Sequence, residues 1–280
     1  MQKVDFIADL HTHSSFSSDS QQSVESMAKT AVSKGISVLG ISDHFDYGYY
    51  PENMPGNFQC DIEEKEKEIS RVKELYKDKL LIQNSIELGI DTFNGNKYNE
   101  IVSKYKFDYV IASQHFIRMG NPYPPSYWED KEPKAEMIKY FENILDSMNC
   151  FSDFDIFAHF DYPLRYPNGV VNGQINPEEI LEDKDVRSLC DEVLSRLAKE
   201  KKALEVNTGG IRSALKRPNP SVKILKRFIS FGGEYVTFGS DGHINEHLGY
   251  GFEEFKSALS SVGRDYYTMF ENRTPKKIKF

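Results

Sequence analysis

The chain has 280 residues, 39% of them hydrophobic and 28% charged, with a formal net charge of −8. This is the balance of an ordinary soluble globular protein, and no apolar run approaches the roughly 18 residues needed to cross a bilayer. The acidic excess argues against nucleic-acid partners, whose non-specific binding depends on Lys and Arg neutralising phosphates. Short apolar runs predict strands at about 4–10, 36–42, 80–87, 107–113, 154–159, 203–207 and 235–240. Between them, helical spacing of apolar residues predicts helices over 23–34, 61–76, 134–148, 177–200, 220–231 and 252–261. Strands alternating with helices read as βα units around a parallel sheet, with residues 1–280 forming a single domain. Two connections, Phe45 to Cys60 and Phe116 to Pro133, are long and rich in Tyr, Pro, Gly and Asn. Loops of that length in a compact domain are more often functional than decorative. Trp128 and the tyrosines of both loops fit either a substrate lid or loop packing.

Cys60, Cys150 and Cys190 lie far apart and form no CxxC pair, so neither a disulfide framework nor a zinc ribbon is expected. With a strand opening the sequence where a signal peptide would stand, a reducing cytoplasm is the expected setting.

Six of the seven histidines stand at or just past a predicted strand end. His11-Thr12-His13 closes the first strand, and two imidazoles at i and i+2 in extended backbone point to the same side. Ser42-Asp43-His44 closes the second strand and Glu87 the third. His115 and His159 follow the fourth and fifth, and Asp241-Gly242-His243 follows the last. Nitrogen and carboxylate donors converging from several strand ends are what a multi-metal hydrolytic site requires. His247 lies in a turn after the last motif and reads as structural.

Taken as a set, His11-x-His13, Ser42-Asp43-His44 and Asp241-x-His243 resemble the PHP (polymerase and histidinol phosphatase) superfamily. Gln114-His115-Phe116-Ile117 and Leu204-Glu205-Val206-Asn207-Thr208 with Arg212 are similar to its histidinol-phosphatase branch. The resemblance implies a distorted (βα)7 barrel carrying three divalent metal ions, Zn, Mn or Fe, on its C-terminal face. It implies that His11, His13, Glu87 and Asp241 bind the first ion. Glu87 would bridge to a second ion completed by His115 and His159, and Asp19, His44 and His243 would hold the third. Asp19 stands where other members carry His, and Ser17-Ser18-Asp19-Ser20 reads equally as a turn or cap ahead of the next helix.

The same resemblance gives Arg212 and Arg165 phosphate-binding, catalytic roles, with Tyr166 and Asn207 as further substrate-binding residues. A solvated loop charge is the plainer reading of either arginine. Asp43 is expected to orient a ligand or help proton transfer. The implied activity is metal-dependent hydrolysis of L-histidinol phosphate to L-histidinol and phosphate, in histidine biosynthesis, with a metal-bridged hydroxide as nucleophile. Two other readings stand beside it: a nuclease built on the same site, which the acidic balance disfavours, and a non-catalytic regulatory or metal-storage module, which would predict missing ligands.

Overall fold

The computed structural model describes residues 6–47 and 58–280. Its main sheet holds β1 (Ile7–Thr12), β2 (Ile36–Ile41), β3 (His44–Asp46), β4 (Leu81–Gly89), β5 (Tyr109–Ser113), β6 (Ile156–Phe157), β7 (Ala203–Asn207) and β8 (Val236–Gly239). All pair in parallel, in the order β1-β2-β4-β5-β6-β7-β8, with β3 also against β4. Ile41 faces Asn84 and His44 faces Glu87, so β2 and β3 keep one register and form a single stave interrupted at Ser42-Asp43. The sheet is therefore a seven-stave parallel barrel. It is nearly closed by two seam bonds, Asp241 N–H to His11 O at 2.8 Å and His13 N–H to Gly242 O at 3.0 Å.

Around the barrel run α1 (Val24–Ser33), α2 (Ile62–Tyr76), α3 (Gly95–Lys104), α4 (Pro133–Cys150), α5 (Asn168–Val171), α6 (Pro177–Glu182), α7 (Lys184–Lys199), α8 (Gly209–Arg212), α9 (Val222–Ser230) and α10 (Phe252–Ser261). The helix expected over 177–200 is two helices. Asp183 turns to extended backbone (ψ 138°) and its carboxylate caps Asp185 N–H, restarting the helix one residue later. The sequence pattern also passes over α3, whose Asn94-Gly95-Asn96 opening reads as a loop. Gly95 is required there because a Cβ would stand 2.3 Å from Cys150 O.

Inside the barrel, Tyr109 is fully buried and donates its hydroxyl to Leu10 O at 2.7 Å. Gly40 makes that possible, since a Cβ on it would stand 1.7 Å from the same hydroxyl. A hairpin absent from the sequence expectations, β9 (Tyr266–Glu271) with β10 (Thr274–Lys279), closes the end of the barrel opposite the strand C-termini. It is anchored by Arg273 N–H to Asp108 O at 2.8 Å, by Gln83 donating to Phe270 O, and by Tyr267. The Tyr267 hydroxyl accepts the Ala8 N–H at 3.0 Å and donates to Phe6 O. Among the described residues no helix is long and apolar enough to cross a membrane.

Tyr267→Phe strips the buried Ala8 N–H of its acceptor, a loss expected to cost about 1–3 kcal/mol. Urea denaturation checks this, and an unchanged midpoint would show that the hairpin does not anchor β1.

Candidate metal centre

At the C-terminal ends of the strands the candidate donors meet. His11 is the last residue but one of β1 and His13 follows the strand, His44 opens β3, and Glu87 points inward from β4. His115, His159, Asp241 and His243 stand two to four residues beyond β5, β6 and β8. Two of these residues hold backbone that side-chain-bearing residues rarely adopt: His159 has φ 27° and Asp241 φ 55°. Such positions cost on the order of 1–3 kcal/mol each and persist only where surrounding structure enforces them.

Glu87 is the hub. Its Oε2 lies 2.7 Å from His44 Nδ1, 3.4 Å from His11 Nε2 and 3.6 Å from His13 Nε2. Its Oε1 lies 2.9 Å from His159 Nε2 and 3.3 Å from His115 Nε2. Burial opposes ionisation of Glu87, yet the imidazoles of His11, His44 and His115 outweigh it and hold the carboxyl well below its ordinary range. Asp241 is likewise held low against burial, by His13, His11, His243 and Arg165. Burial, with His243 and His44 alongside, pushes His13 well down toward the neutral form that ligates metal.

The donor set fits divalent cations. Four groups bring their ligand atoms within 4.8 Å of one another: His11-Glu87-His159, His11-His13-Asp241, His13-His44-His243 and His44-Asp46-His115. Among the described residues, His11 Nε2, His13 Nε2, His44 Nδ1 and Glu87 Oε2 are buried with no hydrogen-bond partner. The close His44–Glu87 approach thus lacks hydrogen-bond geometry. Buried polar atoms left this way are costly, and bound cations would satisfy them. Mixed imidazole and carboxylate donors suit Zn, Mn or Fe.

Asp19 faces the same cluster, 3.2 Å from His243 Nε2 and 3.5 Å from His44 Nε2. The N-cap of α1 is Ser23, so the structure leaves Asp19 free of that duty. Asp43 does not line the cavity. Its carboxylate accepts from Ser14 N–H at 2.7 Å, Ser14 Oγ at 2.8 Å and Ser17 Oγ at 2.8 Å, and Ser17 Oγ lies 3.2 Å from His13 Nδ1. Asp43 thus props the turn that carries His13.

The cavity over the cluster has a volume of about 360 Å³, and Arg165 and Tyr166 line it together with Phe58, Phe116 and Tyr123. Arg165 is held by Asn219 Oδ1 at 2.8 Å, Asn207 Oδ1 at 2.9 Å and Asp241 Oδ2 at 3.4 Å. Arg212 is not among the residues that line it. Its Nη2 donates to Ser240 O and Asp241 O, both at 2.9 Å, which fixes the turn bearing Asp241. Asn207 is fully buried and accepts from Arg165, which lines the cavity. Trp128 is buried and donates to Pro122 O at 2.7 Å, so it packs its loop, while Tyr123 of the same loop faces the cavity. The other long loop, Phe45 to Cys60, falls largely outside the described residues.

Three carboxylates escaped the sequence reading. Asp46 contacts His115 Nδ1 at 2.6 Å, Glu205 contacts His11 Nδ1 at 2.6 Å, and Asp9 accepts from Ser240 N–H at 2.9 Å and Gly249 N–H at 2.8 Å. Asp46 was within reach of the period-two rule, two residues past His44 in extended backbone. Glu205 was visible as a charged residue inside an apolar strand.

Residues 9–209 match the PHP domain. This chain belongs to the PHP domain family. It is 28% identical over 264 residues, 94% of its length, to the histidinol-phosphatase of Lactococcus lactis subsp. lactis, covering 92% of that protein. A probable histidinol-phosphatase of Clostridium acetobutylicum is 29% identical over 253 residues, 90% of this chain and 91% of that protein. Histidinol phosphate phosphatase from Lactococcus lactis, in a crystal structure with zinc, L-histidinol and phosphate, superposes with a TM-score of 0.84 at 26% identity. That superposition covers 97% of this chain and 99% of the crystallised one. The PHP-domain relationship and the His/carboxylate groups together make this a metal-binding phosphoesterase-type centre.

A ligand that binds only the folded state adds about 2.7 kcal/mol at one hundred times its Kd, so saturating Zn or Mn should raise Tm by roughly 5–10 °C over chelator-stripped protein. Equal melting temperatures with and without the ions would contradict a metal centre in this cluster.

Proposed function

We propose that this PHP-domain protein is a metal-dependent phosphomonoesterase that hydrolyses L-histidinol phosphate to L-histidinol and phosphate. The observation that carries the reading is the pairing of a cation-binding cluster with the guanidinium of Arg165 on one cavity of about 360 Å³. A phosphate monoester carries two negative charges on a compact head, and cations on one side with a planar guanidinium on the other complement it. The near full-length similarity to histidinol-phosphatases supports the choice of leaving group.

In this reading residues 1–280 form one PHP-type barrel domain. His11, His13, Glu87 and Asp241 hold one ion, Glu87 with His115 and His159 a second, and Asp19, His44 and His243 a third. When bound, such ions supply Lewis acidity toward the phosphoryl oxygens and an activated water. The protein's own groups then orient the ester. Arg165, pre-set by Asn207 and Asn219, neutralises phosphoryl oxygens as charge develops on them. Arg212 keeps Asp241 in place through two backbone carbonyls, and Asp43 does the same for His13 through Ser17. Tyr166, Tyr123, Phe58 and Phe116 give the organic portion of the substrate an aromatic wall.

A panel of L-histidinol phosphate, unrelated phosphate monoesters and single-stranded DNA, assayed with the metal-loaded enzyme, tests the proposal. L-histidinol phosphate should have the highest kcat/KM, with no turnover after chelation. Preferential hydrolysis of DNA, or of a monoester without an imidazole, would overturn the substrate assignment.

A further inference from the structure

Glu205, third residue of β7, is 1% exposed and serves three partners. Oε1 stands 2.6 Å from His11 Nδ1, while Oε2 accepts the His159 N–H at 2.9 Å and the Asn207 side-chain amide at 3.0 Å. Asn207 passes the constraint onward, its Oδ1 accepting from Arg165 at 2.9 Å and from Gly209 N–H at 3.0 Å. The space for this carboxylate is made by Gly239, where a Cβ would stand 2.0 Å from Glu205 Oε1.

We infer that Glu205 is a positioning residue of the centre, setting the tautomer of His11, the backbone of His159 and, through Asn207, the guanidinium of Arg165. The inference rests on reading the cluster as a metal centre. An ionised carboxylate only accepts hydrogen bonds, so His11 facing it must carry its proton on Nδ1. In the neutral form that ligates a cation, the lone pair on Nε2 is then turned into the cluster, 3.4 Å from Glu87 Oε2 and 3.9 Å from Asp241 Oδ1. The absence of any hydrogen-bond partner for His11 Nε2 among the described residues agrees with that assignment. His13 is served less directly: its Nδ1 faces the Ser17 hydroxyl at 3.2 Å, whose own proton goes to Asp43.

At His159 the same carboxylate accepts the N–H of a residue with φ 27°, helping to enforce a conformation its backbone resists. One buried side chain therefore links two cation donors to the arginine on the cavity wall. Glutamine has the same size and cannot replace it. With its oxygen toward His11, its NH2 would oppose the N–H of His159 and the amide of Asn207, donor against donor. With its NH2 toward His11, the imidazole must accept on Nδ1 and carry its proton on Nε2, where it blocks ligation.

Zinc affinity measured by chelator competition on wild-type protein and Glu205→Gln, with thermal melts of both, tests this. The variant should bind zinc about 10–100-fold more weakly. Wild-type zinc affinity in the variant, even with a lowered Tm, would reduce Glu205 to a structural role and overturn the inference. Absence of zinc binding by the wild type would instead overturn the metal reading beneath it. Should Glu205→Gln not fold, ¹⁵N NMR of the zinc-loaded wild-type imidazoles decides: His11 carrying its proton on Nδ1 supports the inference, and carrying it on Nε2 contradicts it.

Discussion

Glu87 is a carboxylate with no exposed surface, and five imidazole nitrogens approach it within 3.6 Å. Taking such a charge out of water is expensive unless opposite charge surrounds it. Protons on the imidazoles supply only part of that charge. The ring of His13 stacks on those of His44 and His243 at 4.2 and 4.1 Å, and like charges at that spacing repel. His13 is accordingly pushed toward neutrality, burial being the largest cause. Divalent cations held by these imidazoles and carboxylates would complete the balance.

The barrel builds this cluster and closes itself with the same residues. The seam between β1 and the segment after β8 is made by backbone bonds of His11, His13, Asp241 and Gly242. Ligand convergence and barrel closure are therefore one constraint. Asp9 reinforces it from within β1 by holding Ser240 and Gly249, the two ends of the turn that carries Asp241 and His243. Arg212 secures that turn from the other side. Removing any of these ties would loosen the donors and the seam together.

Much of this architecture was legible because its signal is periodic and repeated. Each predicted strand of the barrel exists as a stave, and most candidate donors sit where the end of an apolar run puts them. What escaped depends on contacts distant in sequence. The hairpin turns at Asn272-Arg273, with φ 49° and 61°. That is the geometry of a tight hairpin turn, usually marked by Asn-Gly, and here an arginine takes the second position. Arg273 is held there by Asp108, Asp153 and Asp155, partners no local pattern reveals. Glu205 and Asp46 are similar, since each is defined by the histidine it meets across the barrel. The two arginines show the limit most clearly. Loop position alone treats Arg165 and Arg212 alike, and only packing puts one on the cavity wall and the other against the backbone of the Asp241 turn.

The most direct test of the central claim is anomalous diffraction from crystals grown with zinc. Peaks bonded to Glu87 and to Nε2 of His11 and His13, at the roughly 2.0–2.2 Å expected for zinc with nitrogen and oxygen ligands, are the predicted result. An ordered Glu87 cluster with no anomalous peak within bonding distance of its carboxylate would contradict it.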